Sequence, residues 1–168
     1  MSDLPELRAA VRLLIGKKFS RIGRAGTMLW LGFGIDVPWI DYKGTLTHKS
    51  ELSLDVQSEW RILSNASVFT TRADINSPSS NLVGQFKPGG AIGSATFDER
   101  VLDLNRILEV NPIRVLAVAI EADLALHIEC GNGIVIEVLP NEVDQYENWR
   151  LIQFFTDSRH YVAMTSGH

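Results

Sequence analysis

The stretch from Asp123 to Pro140, DLALHIECGNGIVIEVLP, constrains the rest of the chain more than any other. Leu124, Leu126, Ile128 and Cys130 alternate with Ala125, His127 and Glu129, the period-2 pattern of a strand with one buried face. Ile134, Ile136 and Val138 alternate in the same way after the glycines. A two-residue Asn132-Gly133 turn would set Ile128 opposite Glu137 and mix apolar with charged residues on one face. A three-residue loop of Gly131, Asn132 and Gly133 instead pairs Ile128 with Ile136, Leu126 with Val138 and Cys130 with Ile134. A slip of one residue turns every side chain over, so the hydrophobic pattern selects the three-residue loop, with Gly133 left-handed in a G1 bulge. His127 then faces Glu137 on the opposite side, and Pro140, with no N–H to donate, stops the strand.

A weaker copy of this plan precedes it. Trp60-Arg61-Ile62-Leu63 matches Trp149-Arg150-Leu151-Ile152, and MLWLGFG near residue 30 stands where the hairpin begins. Asp3 as N-cap, Pro5 and Glu6 open a first helix carrying Leu7, Val11 and Leu14 on one face, with Gly16 as its stop. Asp98 is placed as the cap of a second helix with Val101, Leu104 and Leu108 on one face, closed by Asn111-Pro112. Leu14 precedes Trp60 by one short loop more than Leu108 precedes Trp149. Strands are expected at Phe19 to Ile22 and Met28 to Phe33, joined near Gly23 and Gly26. Trp39 to Leu46 reads as a strand or an irregular crossing, and Leu52, Leu54 and Val56 mark another strand. A hairpin turns at Ser64 to Ser67, Ile113 to Ile120 gives a strand, and Trp149 to Phe155 closes with His160 to Met164.

The expected fold is α+β: two tandem helix-plus-antiparallel-β repeats packed about a pseudo-twofold axis in one domain. Repeat one covers about 3–73, a Pro/Gly/Ser-rich connector 74–97, and repeat two 98–166. A single half would have too small a core to stand alone. Trp60 and Trp149 are expected as equivalent anchors, one in each repeat, rather than ligand-stacking residues.

The second repeat resembles a group of small uncharacterised bacterial proteins with a D-L-x-L-x-F-x-(D/N)-G…E-x-W hairpin pattern. It is carried by D-L-x-L-x-I-x-x-G-N-G-x-x-I-x-V-x-P and then E-N-W-R-L, about the last third of the chain. The first repeat departs from it, with Gly32-Phe33-Gly34 where the Asn-Gly turn stands. Some proteins resembling that group lie near toxin genes and are regarded as immunity proteins, so the resemblance implies a binding role and supplies no chemistry.

Composition narrows the remaining choices. The chain has 168 residues, a formal net charge of −4 and one cysteine. That excludes an internal disulfide and fits a reducing compartment. Acidic residues near the N-terminus argue against a signal peptide, and no run approaches the ~20 apolar residues of a membrane span, so a cytoplasmic protein is expected. Arg8, Arg12, Lys17, Lys18, Arg21 and Arg24 crowd the start, yet the negative net charge and the lack of a binding module make a solvated face the better account than a nucleic-acid surface. His127, Glu129 and Glu137 lack metal-site spacing and read as a solvated cross-strand group. Cys130, on the apolar face, reads as a small buried hydrophobe. No cofactor, metal or catalytic residue is assigned. The leading expectation is a non-enzymatic binding protein whose acidic surface, Glu129, Glu137, Glu142, Asp144 and Glu147, meets a protein partner with a basic surface. The alternative is a small-molecule or metal-dependent enzyme with its site between the repeats. Strand edges left by such repeats also favour a symmetric homodimer.

Overall fold

A computed structural model describes residues 1–143, 145–154 and 158–166. The chain is α+β; among the described residues ten strands form two five-stranded sheets whose pairings are all antiparallel. Helix α1 (Leu4–Val11) starts where its cap signal lies, the Glu6 N–H donating to Asp3 Oδ1 at 2.8 Å. A 3-10 turn carries it on to Leu14, and Gly16 follows at φ 80°. Strands β1 (Phe19–Ala25), β2 (Met28–Ile40), β3 (Leu46–Val56), β4 (Glu59–Ser64) and β5 (Ser67–Thr71) come next. Then follow α2 (Thr96–Val110), β6 (Val115–Ile120), β7 (Leu126–Cys130), β8 (Ile134–Leu139), β9 (Glu147–Gln153) and β10 (Arg159–Met164).

The first sheet runs β1-β2-β3-β9-β10 and the second β6-β7-β8-β4-β5. Each sheet thus takes three strands from one half of the chain and two from the other. Their inner faces and both helices feed one hydrophobic core, in which Phe19, Leu31, Phe33, Leu54, Phe97, Leu108, Ile128 and Ile136 are fully buried.

The β7–β8 register is the one the sequence selects: Leu126 opposite Val138, Ile128 opposite Ile136 and His127 opposite Glu137. Gly133 has φ 72°, and Asn132 is left-handed as well. Two readings are corrected. Leu124 is no strand residue: it sits at φ 74° in the β6–β7 turn. The β1–β2 turn lies at Gly26-Thr27 alone, whereas Gly23 is inside β1, where the absence of a Cβ makes room for the Trp30 ring. The Trp39–Leu46 stretch resolves into the end of β2, a turn and the start of β3. The expected end of the penultimate strand at Phe155 lies outside the described residues.

Helix α2 begins three residues earlier than expected, its N-cap being Ala95, because Asp98 serves from inside the first turn. Its carboxylate accepts from the N–H groups of Gly93 (2.9 Å) and Ala95 (3.0 Å). It also takes a two-pronged pair from Arg24 at 2.8 Å each. The remaining Arg24 donors go to the carbonyls of Gly26, Gly90 and Ala91. One buried guanidinium therefore ties β1, the connector and α2 together. Alongside it, Asn105 of α2 caps the open edge of β1, accepting from the Ile22 N–H (3.0 Å) and donating to the Ile22 carbonyl (2.9 Å).

Trp60 and Trp149 are both buried, and each stands opposite a core valine of the neighbouring strand, Val138 and Val56 respectively. Trp60 does not confine itself to its own half, since its ring packs edge-on against Phe97 of α2 at 5.7 Å. The Trp149 indole donates to the Leu124 carbonyl at 2.9 Å, while the Trp60 indole N–H has no acceptor among the described residues.

Alanine at either tryptophan should cost about 3–5 kcal/mol in chemical denaturation. Phenylalanine should cost about 1 kcal/mol more at position 149 than at 60, because only there is a hydrogen bond lost; equal costs would contradict this account. Asp98 and Arg24 side chains are 6% and 1% exposed, so Asp98→Asn or Arg24→Ala should cost about 3–5 kcal/mol at neutral pH. Burial pushes the Asp98 carboxyl up, but the bonds from Arg24, Ala95 and Gly93 outweigh it and hold it below the ordinary value. A depressed carboxylate stabilises above its unfolded pKa and loses that contribution as pH falls through the folded one. Wild-type stability should therefore decline on acidification below about pH 4 more steeply than that of Asp98→Asn.

Candidate functional site

The outer face of the first sheet carries the most chemistry. Cross-strand register aligns Gly23, Trp30, Asp55 and Arg150 in one row, and Arg21, Gly32, Ser53 and Ile152 in the next. Ser53 Oγ donates to Asp55 at 3.0 Å. Arg150 is gripped by Glu147 at 3.0 and 2.7 Å, and its Nη1 lies 3.1 Å from His160 Nδ1, which acts as acceptor there. Burial pushes the Asp55 carboxyl above its ordinary value, and Ser53, Arg150, Lys49 and His160 recover only part of the cost. The Glu147 bonds raise the Arg150 guanidinium further, against the effect of burial.

Trp30 and Arg21 divide this face into two clefts. One, about 340 Å³, lies over Gly32 and is walled by Met28, Trp30, Ser50, Ser53, Asp55 and Phe154. The other, a broad hollow of about 1080 Å³, lies where the halves meet, between Ile15, Lys17, Lys18 and Ser20 on one side and Asn105, Glu109 and Arg114 on the other. Much of the N-terminal basic cluster is found in this second cleft, and its reading as a solvated face needs correction. Lys17 pairs with the buried Glu51 at 3.0 Å, Arg21 pairs with Asp36, and Arg24 is the buried clamp described above. Arg8 and Arg12 are the members that remain solvated.

Of the five acidic residues, the four that are described divide between the two sheets and a loop. Glu129 is exposed on β7, and Glu142 is exposed in the β8–β9 loop. Glu137 on β8 is held by Arg61, with His127 at 3.6 Å. Glu147 lies on the other sheet, against Arg150. Asp144 lies outside the described residues. Cys130 is buried, its thiol pushed up to about 12 by desolvation and then by Glu129, so it stays protonated at neutral pH. Among the described residues no three His, Cys, Asp or Glu side chains converge as metal ligands, and no helix is long and apolar enough to cross a membrane.

Sequence reading missed the Asp55 row, because Ser53 and Asp55 look like ordinary solvent-facing residues of an alternating strand. The pairing of β3 with β9 brings Arg150 beside them, and nothing local encodes that pairing. Compared with family models, curated proteins and solved structures, the chain matches none.

One pH effect follows from this face. A carboxyl raised on folding favours the folded state when protonated and weakens it as pH rises through the carboxylate range. Asp55→Asn is expected to be neutral or stabilising at pH 7 and to lose that advantage near pH 3, as read from urea midpoints at the two pH values. A clear loss of stability at pH 7 would mean that the Ser53 and Arg150 interactions outweigh desolvation.

Proposed function

We propose that this chain is a non-enzymatic binding protein of the immunity type that its second half resembles. We read it as two tandem repeats about a pseudo-twofold axis, acting in the cytoplasm on a protein partner. Several correspondences support the repeat. Adding five to each strand number of the first sheet, and counting on from β1 after β10, yields the strand order of the second. Lys18 and Arg114 face each other in an antiparallel bridge with reciprocal bonds, Phe19 N–H to the Ile113 carbonyl (2.8 Å) and Val115 N–H to the Lys17 carbonyl (2.9 Å). The Gly34 N–H donates to the Lys18 carbonyl, and the Gly131 N–H donates to that of Arg114.

The observation that carries the binding role is where the two halves part. The β7–β8 hairpin turns at Gly131–Gly133, whereas β2 and β3 run on, pairing Asp36–Ile40 with Leu46–Ser50. This arm extends past both β1, which pairs only as far as Phe33, and β9, which pairs from Leu52. Near its tip Ile40 and Leu46 are cross-strand partners, 59% and 61% exposed, and Tyr42 is 92% exposed. Adjacent apolar side chains with an aromatic beside them have the composition of an interface centre. Because Glu137 and Glu147 are neutralised within the chain, the exposed Glu129 and Glu142 would add steering more than affinity.

The test is co-purification with the product of the adjacent gene, at low and high salt. Leu46→Asp with Tyr42→Ala should abolish capture at both salts, while Glu129→Lys with Glu142→Lys should weaken it mainly at low salt. Capture untouched by the arm variant would overturn the arm as anchor. Light scattering of the isolated chain decides whether the arm serves self-association: a species of twice 18.7 kDa that reverts to 18.7 kDa in the arm variant would assign it there.

A further inference from the structure

The smaller cleft on the first sheet has the features of a ligand site. Ser50 is 6% exposed, and its hydroxyl, on the cleft wall, has no hydrogen-bond partner among the described residues. Glycine is required beneath it, because a Cβ at Gly32 would collide with that hydroxyl and press on the Arg21 side chain. The sequence thus leaves a space with a buried, unpartnered hydroxyl in its wall. Asp55 adds a second unmet demand. It accepts one side-chain hydrogen bond, from Ser53, and is half-buried, with burial raising its carboxyl above the ordinary value. A desolvated carboxyl with free lone pairs calls for donors.

The charges around the cleft select among donors. A cationic ligand would meet Arg21 and Lys49 on the walls and Arg150 on the next strand, and an anionic one would meet Asp55 at the centre. A neutral, hydroxyl-rich molecule satisfies both Asp55 and Ser50. Trp30 and Phe154 supply flat apolar walls against which the C–H face of a ring can lie. The volume, about 340 Å³, is at the lower end for small-molecule sites, which suits one ring rather than a chain of them.

We propose that this cleft binds a pyranose sugar, with Trp30 against the ring face and Ser50, Ser53 and Asp55 taking its hydroxyls. The site lies at the base of the β2–β3 arm, away from the tip residues, so its failure and that of the docking proposal are read separately.

The experiment is ligand-observed NMR of the full chain with glucose, galactose, mannose and N-acetylglucosamine, with sodium phosphate and arginine as charged controls. Indole N–H shifts of the protein are followed in parallel. At least one pyranose should bind saturably in the millimolar range and move the Trp30 indole resonance, assigned from Trp30→Leu. Ser50→Ala and Asp55→Asn should each weaken that binding about fivefold or more, and Trp30→Leu about tenfold, with the Ser50→Ala denaturation midpoint close to wild type. The proposal is overturned if no pyranose saturates below about 50 mM. It is equally overturned if phosphate or arginine binds in their place, or if Ser50→Ala and Asp55→Asn both bind as wild type does.

Discussion

Arg24 is a long, charged side chain that folding removes from water, and its five donors all find oxygen: two on Asp98 and one each on Gly26, Gly90 and Ala91. The cost of desolvating a guanidinium is offset only by a complete set of partners of this kind. That requirement fixes three elements at once. The connector must pass close enough to offer two carbonyls, α2 must begin where Asp98 can face β1, and β1 must stay straight to its end. Ser79 and Ser80, donating to Glu99 at 2.8 and 2.7 Å, pin the other end of the connector to the same helix. A stretch whose composition reads as a loose loop is thereby held at both ends against the first turn of α2.

What the sequence made legible was whatever is encoded within a few residues. The β7–β8 register followed from alternation and two glycines, the start of α1 from Asp3 and Glu6, and the β4–β5 turn from Ser64 to Ser67, where Asn65 and Ala66 are both left-handed. Gly23 was misread as a turn because a glycine signals freedom without saying what uses it; here the Trp30 ring does. Arg24 was grouped with solvated neighbours because its partner lies on a helix far along the chain. The Asp55 row was hidden for the same reason. Sequence distance, more than residue type, separated what could be read from what could not.

The division of charge bears on how the surface works. Several arginines are consumed by acids within the chain: Arg21 with Asp36 and Arg61 with Glu137 across neighbouring strands, and Arg150 with Glu147 three residues back on its own strand. Exposed pairs of this kind add little stability singly, but they remove the large single-sign fields that a linear count of charges suggests. The exposed apolar side chains at the arm tip then stand out against a nearly balanced background.

The sharing of strands between sheets has a consequence for how the chain matures. When the first half has left the ribosome, β1, β2 and β3 can pair, but β4 and β5 have no sheet to join until β8 exists, and β3 has a bare edge until β9 arrives. Trp60, destined for Phe97, has to wait as well. Neither half can bank its core early, so folding is a single late event dominated by distant contacts, of the kind that proceeds slowly. During synthesis a nascent chain of this topology carries unpaired strand edges and a bare tryptophan until its second half emerges.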